Sequence, residues 1–234
     1  MALPIYLAMT GAELAFCQTM PEHPGYMACH FSPWDKGLSN FPGTLPDRAM
    51  LIVNDLSPMD GHDPELIFQQ VLGLVRQWNA ESVLLDFQRE NCPETAALAQ
   101  ALTGLPCPVG ISAPYAQEGN PVFLPPCPPD QSIEEYLRPW GGWEIWLEYA
   151  LAGLQITLTE RGAEVSPLEE APESLPHGDD SLLCHYKTVL GPGRAEFLLY
   201  RTGEDREKLL ERAASLGATR AIGLYQELAA SGSE

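Results

Sequence analysis

Short apolar runs alternate with amphipathic stretches through the first half of the chain. Pro4–Met9 (PIYLAM) predicts a strand, followed by a short helix around Gly11–Gln18, and Tyr26–Phe31 (YMACHF) and Met50–Asn54 (MLIVN) predict two more strands. Asp63 then suits an N-cap and Pro64 the first helical turn. Behind them Ile67, Val71, Leu74, Val75 and Trp78 fall on one stripe at helical spacing. Ser82–Phe87 (SVLLDF) is nearly all apolar, the pattern of a strand buried on both faces in a parallel sheet. A helix over Pro93–Leu102 and strands at Val109–Ser112 and Val122–Leu124 continue the alternation.

The second half has a different rhythm. Gln155–Val165 alternates apolar and polar residues around Arg161-Gly162, and Leu182–Tyr200 does so around Gly191-Pro192-Gly193; both read as β-hairpins. A lone hairpin is marginal in water, so the two are expected to pair with each other. Ser166–Asp180, rich in Pro, Glu and Asp, reads as an exposed acidic loop. Thr202 caps a predicted helix running to about Leu216, Gly217 ends it, and Arg220–Leu224 is a last strand.

Strands near residues 5, 27, 51, 83, 110, 122, 197 and 222 make the number that a (β/α)8 TIM-like barrel requires. Several intervening helices are short or missing, so the expectation is a trimmed α/β barrel. It forms a single domain over 1–234 with an antiparallel hairpin insertion around 143–195. An open α/β sheet with an antiparallel extension is the alternative.

Charge narrows the partners. The chain of 234 residues carries a formal net charge of −19 and only three lysines, Lys36, Lys187 and Lys208, so phosphate backbones and anionic lipid surfaces are unsuited to it. No apolar run approaches the ~18–20 residues that span a bilayer. The N-terminal stretch lacks a signal peptide's basic start. The six cysteines form no C-x-x-C pair, so free thiols in a cytoplasmic protein are expected.

In a barrel, chemistry gathers at the C-terminal ends of the strands. Those positions hold His30 and, just beyond, Trp34-Asp35; Asn54-Asp55; Asp86, Gln88, Arg89 and Glu90; and Tyr225-Gln226-Glu227. Asp86 and Glu227 are the candidate catalytic carboxylates. His30, Trp34, Asn54, Asp55, Gln88, Arg89 and Tyr225 are the candidate ligand contacts, with Arg89 a clamp for an anionic group. Each also has a plain structural role open to it. Asp55 and Asp86 suit loop caps, His30 a core histidine, Trp34 a cover for the barrel mouth, and Glu90 and Glu227 solvated surface.

Strand-end alternation places Asp86 and Gln88 on one side and Leu85 and Phe87 on the other. The tryptophan-rich stretch Pro139–Trp146 (PWGGWEIW) reads as a bendable loop, suited to stacking on sugar or to covering the core. Asp60-Gly61-His62-Asp63 has one histidine among carboxylates and Asp63 is an N-cap, so no metal is assigned there. Without G-x-G-x-x-G, a P-loop or G-x-S-x-G, no cofactor is expected.

The fourth strand carries a resemblance. Glu81–Gln88 is similar to the D-x-x-D-x-D-x-E signature of chitinase-like glycoside hydrolases, the eighteenth family, and the wider pattern resembles TIM-barrel proteins of bacterial type. The four acidic positions of the signature fall on Glu81, Leu84, Asp86 and Gln88. Asp86 matches, the first position keeps an acid, and the second is Leu84. The family's proton-donating glutamate is Gln88, whose carboxamide cannot serve as a general acid. The resemblance therefore implies a barrel that binds a carbohydrate or other small polar ligand without that hydrolytic route. A small hydrolase using Asp86 with a second carboxylate, and an interaction protein with no ligand, are the other readings.

Overall fold

The computed structural model describes residues 3–89, 92–150, 153–168 and 171–230. Glu90 and part of the acidic loop lie outside them. Eight parallel strands close into a barrel: β1 (Ile5–Met9), β2 (Pro24–Phe31), β4 (Met50–Asn54), β5 (Ser82–Asp86), β6 (Val109–Ser112), β7 (Val122–Leu124), β8 (Ile145–Glu148) and β14 (Ala218–Leu224). β1 closes the ring by pairing with both β14 and β2. A two-residue strand, β3 (Leu38–Ser39), runs antiparallel to the end of β2.

The helices are α1 (Gly11–Phe16), α2 (Pro64–Trp78), α3 (Pro93–Leu102), α4 (Ile133–Leu137), α5 (Gly203–Ser215) and α6 (Tyr225–Ala230). Local chemistry explains their starts. Asp63 accepts from the backbone N–H groups of Glu65 and Leu66 at the head of α2, and Thr10 and Thr202 form capping boxes on α1 and α5. Ile67, Val71, Leu74 and Val75 are the buried face of α2, as their spacing predicts.

Two apolar layers result from strand alternation. Leu51, Val53, Val83, Leu85, Phe87, Val109 and Ile111 pack outward with Ile67 and Val71 of α2 and Leu98 and Leu102 of α3. Tyr6, Ala8, Met50, Ile52, Leu84, Phe123, Trp146 and Ile222 fill the barrel interior. Trp146 is the largest fully buried side chain there, and it occupies the space opposite Gly110. A Cβ at Gly110 would lie 2.1 Å from its Cε3.

The foot of the barrel is polar. Arg220 lies over the rings of Trp146 and Tyr6, 4.5 and 5.0 Å from their centroids, and donates to Ser82 Oγ at 2.6 Å. Glu81 accepts a hydrogen bond from the Tyr6 hydroxyl and pairs with Arg48 and Arg220 at 3.4 and 3.6 Å.

The remaining strands form a five-stranded antiparallel sheet in the order β10 (Gly162–Leu168), β9 (Gly153–Thr159), β13 (Arg194–Tyr200), β12 (Cys184–Gly191), β11 (His177–Asp179). The two predicted hairpins do pair, through β9 and β13, with Phe197 opposite Ile156. The acidic stretch is less of a loop than its composition suggests: β10 reaches Leu168, and His177–Asp179 adds an edge strand to β12.

By contacts the chain forms two compact units. One holds Pro4–Pro125, Trp143–Tyr149 and the chain from Thr219, and the other Pro126–Gly142 and Ala150–Ala218. In the second unit Arg201 is buried and donates to five carbonyls: those of Leu183, Cys127, Pro128, Gln131 and Leu182.

One barrel strand differs from the sequence-based expectation. The strand near residue 197 belongs to the antiparallel sheet, and its place in the barrel is taken by Ile145–Glu148, inside and just past the stretch expected to be a tryptophan loop. Only four residues long, this strand has no visible alternation, and the preceding Trp-Gly-Gly-Trp hides its start. Among the described residues no helix is long and apolar enough to cross a membrane.

Candidate functional site

The ends of β2, β4 and β5 stand in register, with His30 opposite Asn54 and Asn54 opposite Asp86. Ile52 and Leu84 point into the barrel, so Asn54 and Asp86, two residues further on, point into its mouth. Leu85 and Phe87 pack outward, as the alternation predicts. Above these strand ends lies a cavity of about 530 Å³, bounded by Thr10, Met27, Ala28, His30, Asn40, Asn54, Asp55, Leu56, Asp86, Gln88 and Arg89. It thus brings together His30, Asn54, Asp55, Asp86, Gln88 and Arg89 from the sequence-predicted set.

Their roles separate once hydrogen bonds are followed. Asp55 is buried, and its two carboxylate oxygens accept from the backbone N–H groups of Gln88 and Arg89, each at 2.8 Å. The Arg89 guanidinium reaches back, donating to the carbonyls of Asp55 and Leu56 at 2.9 Å. These bonds lace the exit of β4 to the exit of β5. Ser112 Oγ accepts from Phe87 N–H and donates to the Leu85 carbonyl, and the Tyr115 hydroxyl donates to the Arg89 carbonyl. The loop carrying Gln88 is therefore held from both neighbouring strands.

Asn54 donates to the Met27 carbonyl at 2.9 Å, and His30 Nδ1 donates to the Ala28 carbonyl at 3.0 Å. Gln88 donates its carboxamide N–H to Asp86 Oδ1. Burial, opposed by that bond and reinforced by the charge of Asp55, raises the Asp86 carboxyl above the usual aspartate range.

A further carboxylate belongs to this mouth and was missed by sequence reasoning. Glu148 ends β8, and Phe123 and Trp146 stand in register facing the interior, so Glu148, two residues on from Trp146, faces inward as well. Burial and the neighbouring charges of Asp86 and Glu227 push its carboxyl up to about 7. Glu227, from the first turn of α6, completes a set of three acids supplied by three different strand exits. The signal was available: IWLE ends in an acid just as SVLLD does, but only after the strand itself is recognised.

Other candidates fall elsewhere. Trp34 is 91% exposed and bounds a second cavity of about 470 Å³ with Ser32, Asp35, Lys36, Asp60 and His62. His62 uses its ring nitrogens on the Met59 and Ser32 carbonyls, at 2.9 and 2.8 Å, and Asp63 is occupied as the α2 cap. Tyr225 opens α6, half-buried. In the acidic signature, Glu81 belongs to the foot of the barrel and Leu84 to its interior, leaving Asp86 and Gln88 at the mouth. Among the described residues no group of His, Cys, Asp and Glu is placed to hold a metal.

Solved structures share this fold. The spore cortex-lytic enzyme SleL of Bacillus cereus matches with a TM-score of 0.57 and 10% identity over 94% of this chain and 70% of that one. SleL of Bacillus megaterium matches at 0.52 and 9%, over 95% and 70%. A double mutant of a GH18 chitinase from Cycas revoluta, solved in complex with (GlcNAc)4, matches at 0.55 and 10%, over 95% and 94%. No family model and no curated protein matches the sequence. The chain shares its barrel fold with these solved structures.

Proposed function

We propose that this glycoside-hydrolase-like barrel binds a carbohydrate at its C-terminal mouth and does not hydrolyse it through a strand-end glutamate on β5. The observation that carries the reading is the cavity in which Asp86, Gln88, Asn54 and His30 converge, with Gln88 where the resemblance puts the proton donor. Gln88 is a hydrogen-bond donor to Asp86, a role that orients the carboxylate and supplies no proton to a leaving group. The Cycas revoluta chitinase of the same fold was solved with an N-acetylglucosamine tetramer, which supports sugar as the ligand class. We place the protein in the cytoplasm; its six free cysteines are consistent with a reducing compartment.

Calorimetric titration with N-acetylglucosamine oligomers tests the reading, with product analysis of the same mixtures. Saturable binding that Asp86→Ala abolishes, with the oligomer recovered intact, is the expected result. No binding across oligosaccharides of varied composition would overturn it. A hydrolase reading has one observation in its favour, the proton that Glu148 holds to about pH 7 near Asp86. Cleavage products that vanish in Glu148→Gln would establish it.

A further inference from the structure

The hydrogen-bonding character of the mouth is lopsided. Several of its donors are committed: one N–H of the Asn54 amide to Met27, one of the Gln88 amide to Asp86, and Arg89 Nε and Nη2 to the carbonyls of Asp55 and Leu56. The Asp55 carboxylate is also committed, to the two backbone N–H groups of the β5 exit. What the mouth offers an incoming molecule is the second oxygen of Asp86 in the cavity wall and, facing inward from the end of β8, the Glu148 carboxyl when ionised.

The charge is equally one-sided. Groups acting on Asp86 and Glu148 are the Gln88 amide and the carboxylates of Asp55, Asp86 and Glu227. The titratable and charged groups facing them are His30 from β2, Asp55 from the β4 exit, Arg89 beyond β5 and Glu227 from α6.

A cavity of about 530 Å³ in which Asp55 and Arg89 are turned to backbone groups and Asp86 keeps a carboxylate oxygen for a ligand fits a molecule that brings its own donors and a positive charge. We infer that the mouth selects a sugar bearing a protonated amine over its N-acetylated counterpart, with Asp86 as the ammonium's contact and Glu148 as the second carboxylate that fixes the preference. An ammonium supplies three donors and no acceptor, whereas an acetamide supplies one donor and adds a carbonyl acceptor to a site that already has a surplus. The cation also offsets the burial and the repulsion that together hold the Glu148 proton, so its binding expels that proton. This inference rests on the carbohydrate reading above and deepens it.

The test compares the glucosamine tetramer with the N-acetylglucosamine tetramer by calorimetry on the full chain, in low salt at about pH 6, where such amines keep their proton. At least about tenfold tighter binding of the amine form is expected, together with release of a proton in buffers of differing ionisation enthalpy. Asp86→Asn and Glu148→Gln should each remove most of that preference, while Glu160→Gln, an exposed change on the β9–β10 turn, should leave it intact. Both mouth variants replace an acid with its near-isosteric amide, and circular dichroism establishes that they fold.

Equal or tighter binding of the N-acetylated tetramer overturns the amine preference and leaves the carbohydrate site standing. A preference that survives in both mouth variants assigns the attraction to the overall charge of −19 and overturns the proposal. Binding of neither tetramer removes the carbohydrate reading, and the inference with it.

Discussion

Glu148→Gln should make the protein more stable at alkaline pH and leave it unchanged in acid. In the unfolded chain this carboxyl titrates near its ordinary range, roughly 4.3. In the folded chain burial and the charges of Asp86 and Glu227 raise it to about 7. Between those values the folded chain binds more protons than the unfolded one, so stability falls as the pH rises through that window. Above it the wild-type fold carries the whole cost of ionising Glu148 among its neighbours, on the order of 3–4 kcal/mol at ~1.4 kcal/mol per pH unit. A glutamine has the same shape and no charge to strain the mouth.

Urea unfolding followed by tryptophan fluorescence at about pH 4.5, 6 and 8 measures the difference. The variant should gain on the order of 3–4 kcal/mol at pH 8, roughly two-thirds of that at pH 6, and only about 0.5 kcal/mol at 4.5. A variant that is less stable than wild type at pH 8, or a difference independent of pH, would refute the placement of Glu148 beside Asp86 and Glu227.

Three further outcomes follow from the same geometry. Asp55→Ala removes both acceptors from the N–H groups of Gln88 and Arg89, and at ~1.5–3 kcal/mol per charge-assisted bond should cost about 3–6 kcal/mol in urea unfolding; a loss below about 1 kcal/mol would instead mark Asp55 as a ligand contact. Gly110→Ala sets a methyl group 2.1 Å from the Trp146 ring and should destabilise by roughly 2–3 kcal/mol, with a shift in tryptophan fluorescence as the ring is displaced. Arg201→Lys replaces a fork serving five carbonyls with a single ammonium and should cost roughly 2–4 kcal/mol, read as a lowered melting temperature; an unchanged melting temperature would contradict that role.

Much of this architecture is legible in the order of residues alone, and the exceptions have physical causes. Buried runs such as MLIVN and SVLLD announce parallel strands because both of their faces are covered. The α2 stripe behind Asp63-Pro64 announces the helix between them. Period-two alternation identifies the hairpins and their pairing but also draws Phe197 into the barrel count, since alternation says nothing about which sheet a strand joins. Ile145–Glu148 stays hidden because four residues behind two glycines carry no periodicity, and the signal for this strand is long-range: Trp146 filling the space that Gly110 vacates.

At the site, parity along SVLLD is enough to place Asp86 and Gln88 on one side, and the register with Asn54 and His30 decides that the side is the mouth. The commitment of Asp55 and Arg89 to backbone groups cannot be read from residue type, because an aspartate after a strand serves a loop or a ligand equally well. Losing one strand also means losing its carboxylate, so Glu148 goes unseen while Glu227 is found.

Sugar is proposed to bind in the cavity above β2, β4 and β5. A crystal structure of the protein soaked with an amino-sugar tetramer and, separately, with its N-acetylated form tests this most directly. A sugar ring is expected within hydrogen-bonding distance of the Asp86 carboxylate, with His30, Asn54 and Gln88 around it. Sugar density bound only elsewhere on the chain, with this cavity filled by water alone, would contradict it.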